Sequence, residues 1–228
     1  MAQRLIIFDC DGTLVDSQHL IVAAMSQAFE AARRPPPPRD EILGIVGLSL
    51  PEAIWRLSGG EDEDTVMKIR DGYRNAFGAL RQDPKHDEPM YDGAREAILH
   101  LIGHDDIVLG IATGKSRRGV DKLLDRFDLA PCFSTLQTAD DAPSKPHPGM
   151  IERAIDETGA SAANTVMIGD TTFDMEMARN AGVAGLGVSW GYHPVSLLEQ
   201  AGVHAIADDY AQLLHMLEDM FVAKRAAG

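Results

Sequence analysis

Apolar and β-branched residues recur along the chain in short runs, at Leu5 to Phe8, Ile107 to Ala112, Phe133 to Gln137, Thr165 to Ile168 and Ala184 to Val188. Each run gives way to polar or glycine-containing residues, the pattern of short strands buried on both faces. Between the later runs lie segments with helical spacing of apolar positions, Ser116 to Phe127, Pro148 to Thr158 and Phe173 to Ala181, and a last one spans Tyr210 to Arg225. Strand and helix alternating in this order predict an α/β fold, a doubly wound parallel sheet with helices on both faces.

The alternation breaks between the first run and Ile107. Gln18 to Arg33, Pro51 to Leu57, Asp64 to Leu80 and Gly93 to Ile102 all read as helix, so a helical insertion fits better than a sheet crossover. Arg34 to Arg39 contains four consecutive prolines and predicts a stiff extended connection, a spacer in preference to an SH3-type ligand. The acidic stretch Glu61 to Asp64 predicts a solvated helix start with Asp64 as N-cap. Gln82 to Tyr91 is polar and returns the chain. The expected division is a main domain of residues 1–15 and 83–228 and a small helical domain of residues 16–82.

Composition narrows the function. With 228 residues, 45% of them hydrophobic, the chain can bury a full core. Lys and Arg number 21 against 35 Asp and Glu, a formal charge of -14, which repels nucleic acid and anionic membrane surfaces. No apolar run approaches the roughly 20 residues that span a bilayer, and the first run has no cleavage site after it, so the expected location is the cytoplasm. Cys10 and Cys132 lack metal-ligand spacing and are expected as reduced thiols. The same acidity repels a phosphorylated substrate, so phosphate chemistry would need a bound cation and a few placed basic groups.

Asp9 directly follows the first strand, at the carboxyl edge where open parallel sheets bind ligands. Asp11 follows two residues on, before Gly12 and Thr13, which permit a sharp turn. Alone, Asp-x-Asp-Gly-Thr is as well explained by a turn. A second pair, Asp170 and Asp174 in Gly169-Asp170-Thr171-Thr172-Phe173-Asp174, follows another strand and falls at the same edge. Clustered carboxylates without His or Cys at ligand spacing suit Mg²⁺ better than zinc. Thr113-Gly114-Lys115-Ser116 opens a helix after the second strand, where its hydroxyl and N–H groups can hold phosphate oxygens, cap the helix, or both. Lys145, followed by Pro146, is a rigidly presented ammonium between the third and fourth strands, or an ordinary surface lysine.

Asp9-Cys10-Asp11-Gly12-Thr13, Thr113, Lys145-Pro146 and Gly169-Asp170 with Asp174 together resemble, over almost the whole chain, the four ordered motifs of the haloacid dehalogenase superfamily. The helical insertion resembles the α-helical cap of its phosphoglycolate-phosphatase-like branch. The resemblance implies a core in which the Asp9 strand lies between those bearing Thr113 and Asp170. It further implies that Asp9 is the nucleophile, forming an aspartyl-phosphate, and Asp11 the acid and base. Thr113 and Lys145 would hold the phosphoryl group, and Asp9, the Asp11 carbonyl and Asp170 would hold Mg²⁺ with Asp174 in support. The superfamily's dehalogenases lack an acid at the Asp11 position, so a phosphatase is expected.

The partner implied is a small phosphorylated metabolite, with 2-phosphoglycolate favoured, and the chain is expected as a monomer or homodimer. A β-phosphoglucomutase-like phosphotransferase uses the same motifs, and a non-enzymatic phosphate-binding module on this fold is the alternative of another class. Gly47, in a turn that points into the site in related proteins, and Gly114 are candidate substrate contacts. Lys115 is a candidate partner of a substrate carboxylate, or solvent-exposed. Trp190-Gly191-Tyr192 is expected to pack against the cap. His19 and His147 are assigned no catalytic part, His147 being expected to hydrogen-bond backbone.

Overall fold

The computed structural model describes residues 3–226. Six strands, β1 (Arg4–Phe8), β2 (Ile107–Thr113), β3 (Phe133–Thr138), β4 (Thr165–Gly169), β5 (Ala184–Val188) and β6 (Ala205–Ala207), form one sheet. Their order is β3-β2-β1-β4-β5-β6, and every pairing is parallel. Strand β1 is central, with Phe8 beside Ile111 on one side and Ile168 on the other. The connections run outward from β1 in both directions, so the carboxyl end of β1 is the switch point at which a crevice opens.

The helices in chain order are α1 (Gln18–Ala31), α2 (Arg39–Leu43), α3 (Leu50–Leu57), α4 (Glu63–Leu80), α5 (Ala94–Leu101), α6 (Arg117–Arg126), α7 (Gly149–Thr158), α8 (Thr172–Asn180), α9 (Val195–Gln200) and α10 (Tyr210–Ala226). Alternate residues of β1 serve opposite faces. Ile6 and Phe8 pack with residues of α5, α6 and α10, and Leu5 and Ile7 pack with residues of α7 and α8. All four are fully buried, each stabilising the fold by about 1.5–3 kcal/mol. This two-sided burial is why the strands read as continuous apolar runs.

Helices α1 to α4 enclose a separate apolar cluster that includes Met25, Phe29, Ile42, Ile54 and Ile69. The Pro35–Pro38 run carries no helix or strand, and Pro38, at φ -57 and ψ 149, leads into α2, a helix absent from the sequence expectation. The cap of α4 is Asp62, not Asp64: its side chain accepts the Thr65 N–H at 3.0 Å, because the helix begins one residue earlier than its apolar periodicity. Helix α9 and strand β6 also lay outside the sequence expectation. Both cysteines are free thiols, and among the described residues no helix is long and apolar enough to cross a membrane.

Candidate active site

Asp9 leaves β1 with its N–H on the Ile168 carbonyl at 2.9 Å and is 1% exposed. The chain then folds back: the Cys10 carbonyl accepts from Thr13, Leu14 and Val15. Gly12, at φ 82, passes so close to Asp170 that a Cβ would lie 2.2 Å from its Oδ2, so only glycine fits this turn. Thr13 Oγ1 donates to Asp170 Oδ1 at 2.8 Å, while the Thr13 carbonyl accepts from Trp190 Nε1 at 3.1 Å and the Tyr210 hydroxyl at 2.7 Å.

Asp170 stands at the end of β4, its Oδ2 accepting the Tyr192 N–H at 2.8 Å. Asp174 closes a capping box with Thr171 at the start of α8, which turns its carboxylate back toward the sheet edge. Oxygens of Asp9, Asp170 and Asp174 lie within 4.8 Å of one another, all buried. Lys145, 1% exposed, reaches Asp174 Oδ1 at 2.6 Å and Asp9 Oδ2 at 2.9 Å. Burial, offset in part by Lys145 and reinforced by Asp174, pushes the Asp9 carboxyl up to about 6. Burial, then the Asp174 and Asp9 charges, raises Asp170 well above the carboxylate range. Burial opposes the Lys145 ammonium, but Asp174 and Asp9 outweigh it and hold the lysine charged. Three buried carboxylates against one ammonium leave an excess of negative charge, and an all-oxygen donor set of this kind fits a hard divalent cation.

Asp11 is served by different partners. Its Oδ1 accepts from Ser17 Oγ at 2.5 Å and lies 2.9 Å from Lys115 Nζ. Ser17 also approaches the Tyr192 hydroxyl, at 3.2 Å. Lys115 is not a solvent-exposed residue of a basic helix start: its side chain is 9% exposed and contacts Glu88 Oε1 at 3.4 Å as well as Asp11. Burial works against its charge, yet Asp11 and Glu88 together raise its pKa above the ordinary lysine value.

A cavity of about 720 Å³ lies between the sheet edge and the α1–α4 helices, with Asp9, Asp11, Thr113 and Lys115 on the sheet side. On the helical side the turn carrying Gly47 and Leu48 meets the β2–α6 loop. A Cβ on Gly114 would fall 2.3 Å from the Leu48 carbonyl oxygen. Gly47, at φ 101, faces the Thr171 hydroxyl. Thr113, 1% exposed, presents its hydroxyl to the Lys115 N–H at 3.3 Å. Arg74, Arg118 and Lys122 also line the cavity, and none of them pairs with a carboxylate among the described residues.

The structure thus brings Asp9, Asp11, Thr113, Gly114, Lys115 and Gly47 to one cavity and sets Lys145, Asp170 and Asp174 around Asp9. Tyr192 packs against the α1–α4 cluster, as expected of its segment, but Trp190 turns the other way to hold Thr13. His147 Nδ1 accepts the Gly149 N–H at 3.1 Å, the backbone role expected of it. Ser17, Glu88 and His193 were not singled out by sequence. His193 accepts the Thr172 N–H on Nδ1, so Nε2 carries the hydrogen toward the Gly44 carbonyl, and burial lowers its pKa.

The family described as "Haloacid dehalogenase-like hydrolase" matches residues 6–188. A Dickeya dadantii protein named "Probable phosphatase IndB" is 35% identical over 215 residues, covering 92% of this chain and 91% of its own. A phosphoglycolate phosphatase of Agrobacterium fabrum is 30% identical over 225 residues, covering 98% and 96%. Among solved structures, a hydrolase from Pseudomonas syringae aligns with a TM-score of 0.84 at 27% identity, covering 95% of this chain and 99% of that one. On the family match, these relatives and the shared fold, the chain belongs to the haloacid dehalogenase-like hydrolase family and is a phosphatase of that family.

Proposed function

We propose that the protein is a Mg²⁺-dependent phosphomonoester hydrolase for a small phosphorylated metabolite, working through an aspartyl-phosphate on Asp9. The observation that carries this reading is the placement of Asp9: at the carboxyl end of the central strand, opening on the cavity, with Lys145 at 2.9 Å and Asp170 and Asp174 beside it. An Asp9 oxygen attacks phosphorus in line with the bond to the leaving group. That bond breaks as Asp11 gives its proton to the departing oxygen. Water then attacks the phosphorus of the aspartyl-phosphate, Asp11 takes the water's proton, and phosphate leaves with Asp9 restored.

Lys145 keeps Asp9 ionised and oriented, and the Thr113 hydroxyl and the N–H groups that follow it hold phosphoryl oxygens. Asp9, the Asp11 carbonyl and Asp170 would hold Mg²⁺, with Asp174 in support; when bound, it neutralises charge on the transferring group. Residues 16–82, with helices α1 to α4, act as a cap that shuts the cavity from water. Among substrates, 2-phosphoglycolate is favoured, because a relative 30% identical carries that name and because Arg74, Arg118 and Lys122 leave unpaired positive charge for a carboxylate. The experiment is phosphate release from a panel of phosphomonoesters with and without Mg²⁺. Asp9→Asn is expected to abolish release, and undiminished turnover would refute the mechanism. Preference for 2-phosphoglycolate over esters with uncharged leaving groups tests the substrate.

A further inference from the structure

Glu88 is a buried acid for which the mechanism above has no use. It lies on the segment returning from α4 to α5, and its side chain is 0% exposed. A carboxylate removed from water costs several kcal/mol unless cations face it. Two do: Arg81 Nε, just past the end of α4, at 2.9 Å, and Lys115 Nζ, after β2, at 3.4 Å. Lys115 in turn lies 2.9 Å from Asp11 Oδ1. The four side chains alternate in charge, Arg81, Glu88, Lys115, Asp11, and run from the end of the last cap helix to the acid at the sheet edge.

We propose that Glu88 is a positioning residue for proton transfer, holding Lys115 against Asp11 and fixing the carboxyl group that protonates the leaving oxygen. The inference rests on the acid role given to Asp11 above. Lys115 and Ser17 both contact Oδ1, so together they set the direction in which the Asp11 carboxyl group points. An ammonium on a four-carbon stem is held in one direction only if it is anchored on more than one side. Without the Glu88 charge, Lys115 keeps one carboxylate, and its Nζ already lies 5.3 Å from the centre of the Phe77 ring at the cavity wall, a ready alternative position. Asp11 then keeps only Ser17 on Oδ1 and is less tightly oriented, while Asp9, Lys145 and Asp170 belong to a separate set of contacts and keep theirs.

This predicts a loss that depends on the leaving group. p-Nitrophenolate departs without a proton and an alkoxide does not, and kcat/KM reports the steps up to phosphoryl transfer onto Asp9. The experiment measures kcat/KM for p-nitrophenyl phosphate and for the alkyl phosphomonoester that the wild-type enzyme turns over fastest, with Asp11→Asn as reference. Glu88→Gln is expected to lower the alkyl value at least tenfold more than the aryl value, with Glu88→Asp recovering part of the difference. If Glu88→Gln does not fold, Lys115→Gln cuts the same chain one link nearer Asp11 and is expected to show the same selectivity. Equal losses on both substrates, or none, in a folded variant overturn the proposal while Asp11→Asn remains selective. A non-selective Asp11→Asn overturns the acid assignment and this inference with it.

Discussion

Lys145 Nζ lies 2.6 Å from Asp174 Oδ1 and shares its other side with Asp9 Oδ2, which makes one buried ammonium the counter-charge of two carboxylates. Removing a partner from a buried ion pair costs about 3–5 kcal/mol, because the charges left behind have no solvent. Lys145→Ala is therefore expected to lower both the thermal midpoint and phosphate release, the latter by at least about a hundredfold if Lys145 also holds the phosphoryl group. Added Mg²⁺ should restore part of the midpoint and little of the activity. Recovery of both would mean that Lys145 serves only to balance charge.

On the proposed function, protons and a divalent cation would compete for the same carboxylates. Asp9 is raised to about 6 and Asp170 is raised well above its usual value, so the folded chain without metal holds protons that the unfolded chain does not. With folded values above unfolded ones, this contribution to stability is full below about pH 4 and is lost as the pH rises through about 6 and beyond. If Mg²⁺ binds the ionised cluster as proposed, it should raise the melting temperature more at pH 7.5 than at pH 5.5. At a hundred times its dissociation constant the gain is about 2.7 kcal/mol. Asp170→Asn should remove most of it, and equal shifts at the two pH values would count against the cluster as the metal site.

The Thr13 carbonyl, between the turn after Asp9 and the start of helix α1, accepts from Trp190 and Tyr210. Trp190→Phe or Tyr210→Phe alone removes one donor and leaves the other, at a cost of about 0.5–1.5 kcal/mol each. Together they strand a buried acceptor. Urea unfolding of the double variant should show a loss larger than the sum of the singles, the sign of coupling through one shared atom.

How far these contacts could be read from sequence depends on where their partners lie. Asp9 and Asp170 were legible because each directly follows a run buried on both faces, and Asp174 because it falls in the first turn of the helix after the second of them; the sheet order then brings the strand ends together. Strand β6 was not, since Ala205–Ala207 is too short to show a period and gains its strand character only from pairing with β5. Glu88 resembles its polar, proline-containing surroundings in sequence; Arg81 and Lys115, one on each side of it in the chain, make it a buried ion. Lys115 was misleading for the opposite reason. It precedes Arg117 and Arg118, which do face solvent, while its own side chain turns under the helical layer to Asp11.

Gly114 tests whether the turn at Gly47 and Leu48 is held by the sheet edge. A methyl group there would sit 2.3 Å from the Leu48 carbonyl oxygen and 2.7 Å from that of Gly47, distances at which backbone must move. Gly114 directly follows β2 and is anchored by the sheet, so the turn at Gly47 and Leu48 is the part that gives way. Displacing it opens the cavity beside Thr113 and Lys115, where the proposed function puts the phosphoryl group. Gly114→Ala is expected to cost about 1–3 kcal/mol of stability and to raise KM about tenfold or more with a smaller fall in kcat, because the side chains proposed to react with phosphorus are untouched. Gly78, on α4 and lining the same cavity, supplies the contrast: nothing lies within 4 Å of its added Cβ. Gly78→Ala should instead stabilise the helix by about 0.5–1 kcal/mol. If both substitutions raise KM alike, any added bulk in the cavity is sufficient explanation; if only Gly114→Ala does, the close approach of the two backbones is what seats the α1–α4 layer over the cavity.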